Sequence, residues 1–177
     1  MGAEKNKRVA KESSNKKAIL KDLMYLIIKL SVVSLLVWLS LVFVFGAYRL
    51  SGNNMYPALK DGDFCVTYKL EEYHSNDVVA YEVNGVIRFG RIIARYGDTI
   101  DGDEEGILIN GSRPMEQVFY STEIINSKLH LPYTLNEGEY ILLNDYRSDT
   151  NDSREYGVIT KEELHGKVIF ILRRRGF

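Results

Sequence analysis

Groups able to make or break covalent bonds are sparse in this 177-residue chain, and the sequence keeps them apart. The one cysteine, Cys65, lies inside the apolar stretch Phe64-Cys65-Val66-Thr67-Tyr68. In such a place a cysteine is a small buried residue rather than a nucleophile. His74 and Lys60 fall in turn-like segments, and Ser51 stands ahead of Gly52 with no base beside it. Nucleophilic catalysis needs an oxygen or sulfur within hydrogen-bond reach of a base, and nothing in the sequence pairs these residues. Three histidines and one cysteine in no ligand spacing supply no donor set for a metal. There is no glycine-rich phosphate loop, so no cofactor is expected.

The elements that must position any site divide the chain in two. Residues 1–29 carry eight Lys or Arg against three acidic residues, a net of +5 inside a total of −1. That basic head favours orientation at a membrane over nucleic-acid binding. Leu30 to Tyr48 then runs nineteen residues without a charge, about 28 Å as a helix and close to the hydrocarbon thickness. Phe45-Gly46-Ala47 lacks the small-residue spacing of a cleaved leader. The expected layout is a basic cytoplasmic tail over 1–23, disordered or in a short helix, a transmembrane helix over 24–48, and an extracytoplasmic domain over 49–177.

That outer domain reads as mainly β, a sandwich or barrel-like fold. Phe64–Tyr68, Val78–Tyr81, Val86–Phe89 continuing into Arg91–Ala94, Tyr140–Leu143 and Val168–Leu172 are β-branched or aromatic runs. Turn signals such as Asn84-Gly85 and Asn110-Gly111 separate them. The last two runs read as buried strands. Only Lys161–Leu164 looks helical, with Thr160 as N-cap and Glu163 at N3. Residues 101–139 are polar and form an expected insert, a cap or a β-ribbon.

Ser51-Gly52-Asn53-Asn54-Met55-Tyr56-Pro57 resembles the nucleophile box of the type I signal peptidases, Gly-x-Ser-Met-x-Pro. Gly52, Met55 and Pro57 match, and Asn54 stands at the serine position. Ser75-Asn76-Asp77-Val78-Val79 is similar to the strand start Gly-Asp-Val-Val. Gly90-Arg91-Ile92-Ile93-Ala94-Arg95-Tyr96-Gly97-Asp98 resembles the general-base box, with Arg91, Gly97 and Asp98 matching and Gly90 at the lysine position. Asn144-Asp145-Tyr146-Arg147-Ser148-Asp149-Thr150-Asn151-Asp152-Ser153-Arg154 is similar to Gly-Asp-Asn-Arg-x-x-Ser-x-Asp-Ser-Arg. There Asp145, Arg147, Asp152, Ser153 and Arg154 match.

The resemblance implies a β fold with a cleft that takes an extended peptide. It implies bracing roles for Gly52, Met55, Pro57, Arg91, Asp145, Arg147, Asp152, Ser153 and Arg154. In active members a desolvated lysine deprotonates the serine. Here both members of that dyad are replaced, and an amide is not a nucleophile, so an inactive homologue is expected. Chains of this description resemble the pilus-assembly accessory proteins of Gram-positive cocci. The implied partners are pilin subunits and a pilus-specific sortase, with membrane lipid around the helix. An active peptidase with an unorthodox nucleophile and a regulator that sequesters signal peptides are the alternatives.

Overall fold

The computed structural model describes residues 2–103, 105–114 and 129–173. They divide into two units, residues 1–43 and 44–177.

The first unit is the helix α1, Gly2–Val44. Its stretch Asn15–Val44 is long and apolar enough to cross a membrane, with its side chains turned outward. Lys29 Nζ sits 4.4 Å from the centre of the Tyr25 ring, one helical turn back. The expected tail is therefore continuous with the apolar helix in its backbone.

The helix ends at Val44, four residues short of the expected boundary. Phe45–Arg49 is the strand β1, paired antiparallel with β2, Phe64–Tyr68. The last part of the uncharged run suits a strand as well as a membrane. Phe45 and Tyr68 rings meet at 5.6 Å, and Gly46 lets the two backbones close. A Cβ there would lie 2.6 Å from Thr67 Oγ1 and 2.5 Å from Tyr48 Cε2.

The remaining strands are β3 (Val78–Val83), β4 (Val86–Ala94), β5 (Thr99–Asp103), β6 (Gly106–Ile109), β7 (Tyr133–Thr134), β8 (Glu139–Leu143), β9 (Ile159–Thr160) and β10 (Leu164–Leu172). They form a seven-stranded sheet in the order β1-β2-β10-β3-β4-β8-β9 and a three-stranded sheet in the order β6-β5-β7. All the pairings are antiparallel, and shifts of register at Ile92/Ala94 and at two places in β10 mark bulges that bend the sheet. The small sheet lies mostly within the expected insert, of which residues 104 and 115–128 fall outside the described residues.

β4 ties the core together. Phe89 packs with Leu50, Met55, Leu59, Cys65 and Ala80. Ile92 packs with Val79, Tyr81, Leu142 and Ile159, and Ile93 with Ile100, Ile107, Ile141 and Leu143. A strand buried on both faces holds its backbone fixed, and Gly90 lies in its middle.

Two readings need correction. Val168–Leu172 is a strand, but Ile169, Phe170, Ile171 and Leu172 are 36–55 % exposed. β10 pairs with β2 throughout this stretch, whereas its pairing with β3 stops at Lys167, so its outer half lacks a second neighbour among the described residues. The sequence reading also missed α2, Ser153–Tyr156, which Asp152 caps by accepting from Arg154 N. The expected helix near Lys161 is a single 3-10 turn, Lys161–Glu163. Glu163 Oε2 accepts from Thr160 N at 2.7 Å there, as the capping pattern requires.

Candidate functional site

The site is built on β4, the loop after β1, and the segment between β8 and α2. Leu50 N donates to Asp63 O and Leu59 N to Met55 O, which folds residues 50–63 into a compact loop. Met55 is the peg of that loop: it is wholly buried, so it holds the loop from beneath rather than lining a cleft. Pro57 is exposed on the loop. Gly52 N donates to Asp61 Oδ1 at 2.8 Å.

The bracing segment is centred on Asp152 and Arg154. Asp152 is fully buried. Its Oδ1 accepts from Arg154 N and Nε, and its Oδ2 from Arg154 Nη2 at 2.7 Å and Asn144 N at 2.9 Å. Arg154 also donates to the carbonyls of Arg147 and Asp149. Ser153 Oγ accepts from Leu142 N at 2.9 Å, clamping α2 to β8. Arg91 reaches Asp145 in a two-pronged pair at 2.7 and 2.6 Å and donates to Asn76 O. Asn76 has a left-handed φ of 73°, a conformation glycine adopts freely and asparagine tolerates.

These braces converge on Asn144, a residue the sequence reading did not single out. Its Nδ2 donates to Asp149 O at 3.1 Å, and its Oδ1 accepts from Asn54 Nδ2 at 3.0 Å. Asn54 Nδ2 donates as well to Phe89 O at 3.2 Å, beside Gly90, and Asn54 O accepts from Tyr146 N. The clue in the sequence was a further departure: Asn144 stands where the peptidase pattern has glycine. The departures at 54 and 144 touch, 90 residues apart in the chain.

Gly90 is closed in. A Cβ there would lie 3.1 Å from Leu142 Cβ and 3.2 Å from Tyr81 Cε1. Tyr81 is wholly buried, and its hydroxyl has no hydrogen-bond partner among the described residues. Burial foremost, then the nearby Asp152 carboxylate, pushes its pKa far above the usual phenol range.

Beside Asn54 opens a cleft of about 300 Å³. Arg49 to Asn54 form one wall and Val86 to Phe89 the other, with Asp149 and Asn151 also lining it. β4 pairs with β3 over 78–83, but its pairing with β8 begins only at Arg91. From Val86 to Gly90 its second edge therefore carries no strand among the described residues.

Among the described residues, of the remaining candidates only Ser51 lines the cleft, and no lysine or histidine lines it with Ser51. Cys65 is buried in β2, and burial, with a smaller push from Asp63, raises its thiol pKa to about 11. His74 is exposed, its Nδ1 facing Glu72 O. Lys60 Nζ lies 5.5 Å from the centre of the Tyr56 ring. Among the described residues no His, Cys, Asp and Glu group is arranged to hold a metal.

Comparison with known proteins gives one family. Residues 23–173 match the family described as "Signal peptidase, peptidase S26". The chain is 27 % identical over 171 residues to "Signal peptidase IB" of Staphylococcus aureus, covering 85 % of this chain and 89 % of that protein. It is 24 % identical over 136 residues to "Inactive signal peptidase IA" of Staphylococcus aureus, covering 71 % and 78 %. Among solved structures it is similar to a signal peptidase I of Enterococcus faecalis, at 21 % identity and a TM-score of 0.44, over 56 % of this chain and 98 % of that one.

Proposed function

The chain belongs to the signal peptidase family, peptidase S26, and from that premise we propose that it is a non-cleaving member which holds an extended peptide in its cleft. The observation that carries this reading is the Asn54–Asn144 hydrogen bond, with Gly90 packed against Leu142 and Tyr81. A serine and a lysine would need this space for proton transfer. An amide pair fills it with donors and acceptors that satisfy each other. The open edge of β4 supports peptide capture, since an extended chain can add to it as a strand. The relative named as inactive is consistent with loss of cleavage inside this family.

The role proposed for such a protein is that of an accessory factor in sortase-mediated pilus polymerisation. Its apolar helix anchors it in the cell membrane, the basic end stays in the cytoplasm, and the β domain works on the outer face. Pilin subunits and a pilus-specific sortase are the proposed partners. Deleting the gene should diminish pilin polymers. Undiminished full-length polymers would remove the pilus role and leave a regulator that sequesters signal peptides.

Cleavage is tested with a preprotein in detergent. The natural chain is expected to be inert. Asn54→Ser with Gly90→Lys is expected to be inert too, because the Asn144 side chain still stands against residue 54, where the new hydroxyl and amine would have to meet. Adding Asn144→Gly removes the side chain that pairs with residue 54 and is the step expected to bring back measurable turnover. The competing reading is an active peptidase using Ser51, which lines the cleft. Cleavage by the natural chain that disappears in Ser51→Ala and persists in Asn54→Ala would establish it.

A further inference from the structure

The hydrogen-bond logic of the cleft fixes what residue 54 offers a ligand. Phe89 O can only accept, so the Asn54 atom facing it is Nδ2. Asp149 O can only accept, so Asn144 turns its Nδ2 to that carbonyl and its Oδ1 to Asn54. Both hydrogens of Asn54 Nδ2 are thereby engaged inside the protein. Asn54 Oδ1 is neither bonded to a described residue nor sealed from solvent, and Asn54 lines the cleft.

The opposite wall sets the direction of a bound chain. Phe89 O leaves β4 on the side away from β3, toward Asn54. Strand alternation puts Phe89 N–H and both polar groups of Ile87 on that same open edge. A peptide added there alternates its own groups between the two walls. It therefore brings N–H groups, as well as carbonyls, to the wall that holds Asn54.

Resting on the peptide-cleft reading above, we infer that Asn54 is a binding residue whose Oδ1 accepts a hydrogen bond from an N–H of the captured peptide. A serine hydroxyl can face the carbonyl it attacks. Asn54 Oδ1 can only accept, and it repels a carbonyl oxygen. The bound peptide sits with an N–H at this point, in a register that keeps its carbonyls away from position 54. The donor is a backbone amide within the peptide or the ammonium at its start, and the two are separable by chemistry.

The experiment uses the full chain in detergent micelles. The probe is a labelled synthetic peptide with an apolar segment followed by alanines in a small-x-small pattern. Each backbone amide is replaced in turn by an ester, which lacks the N–H, and one further peptide is acetylated at its start. On the natural chain, one ester, or else the acetylated peptide, is expected to bind about 3- to 10-fold more weakly, the worth of one neutral hydrogen bond. On Asn54→Ala that loss should vanish. Peptides that bind but show no such Asn54-dependent loss overturn the inference and leave the cleft reading standing. Failure of every peptide to bind overturns the cleft reading and this inference with it. Should Asn54→Ala not fold, carbon-13 labelling of the Asn54 side-chain carbonyl replaces it. Its shift should move with the amide peptide and not with the matching ester, and equal movement overturns the inference.

Discussion

The two sides of the site differ in kind. The segment from Asp145 to Arg154 keeps the charged residues of the peptidase pattern buried, with Asp145, Asp152 and Arg154 held in close hydrogen-bonded pairs. The facing side places an amide, Asn54, and a bare backbone position, Gly90, where the peptidase pattern has its serine and lysine, with Leu142 and Tyr81 packed against Gly90. The network ends on Asn144 and so on Asn54, which shows what the braces do here. They fix the shape of a loop and a cleft wall, a task that does not depend on a serine or a lysine at its end.

The sharpest way to break the comparison is Asp152→Ala. It leaves Arg154 buried without its carboxylate, which costs about 3–5 kcal/mol. Unfolding of the full chain in detergent measures this, and a loss below about 1 kcal/mol would mean the braces are ornamental. Next is the alkaline limb. Cys65 packs with Met55 beneath the Asn54 loop, and burial holds its thiol pKa up at about 11, above the ordinary thiol range near 9. A raised folded pKa gives stability that is whole below about pH 9 and is lost as pH climbs toward 11, up to about 3 kcal/mol. Melting from pH 8 to 11 should show this slope, and it should flatten in Cys65→Ala.

Gly90→Lys is expected to cost about 2 kcal/mol through overpacking against Leu142 and Tyr81, again read by unfolding. The finest probe is a double-mutant cycle of Asn54→Ala and Asn144→Ala. A coupling of about 1 kcal/mol is expected for a contacting hydrogen-bonded pair, and zero coupling would dissolve the link between braces and loop.

Much of this was legible in the chain. β2 has the boundaries its β-branched and aromatic run implies, and β3, β4 and β8 fall where such runs do. Asp145, Arg147, Asp152, Ser153 and Arg154 stand in one short stretch, so their motif carries their company. What escaped depends on contacts between distant residues. Val44 to Tyr48 is equally apolar as helix or strand, and only β2 decides it. Asn144 looks like any turn asparagine until Asn54 is seen against it. α2 is four residues long, too short to leave a period. The outer half of β10 has the composition of a core strand, and its exposure reflects a neighbour that ends early.

That outer half of β10 bears on how the protein can be handled. Residues 169–172 present apolar side chains beside a backbone edge that is unpaired among the described residues, a combination that invites another chain to add on. Cutting away α1 would therefore not yield a well-behaved water-soluble fragment. Residues 45–177 alone should self-associate in a concentration-dependent way, and mild detergent or a charged residue at Phe170 should suppress it.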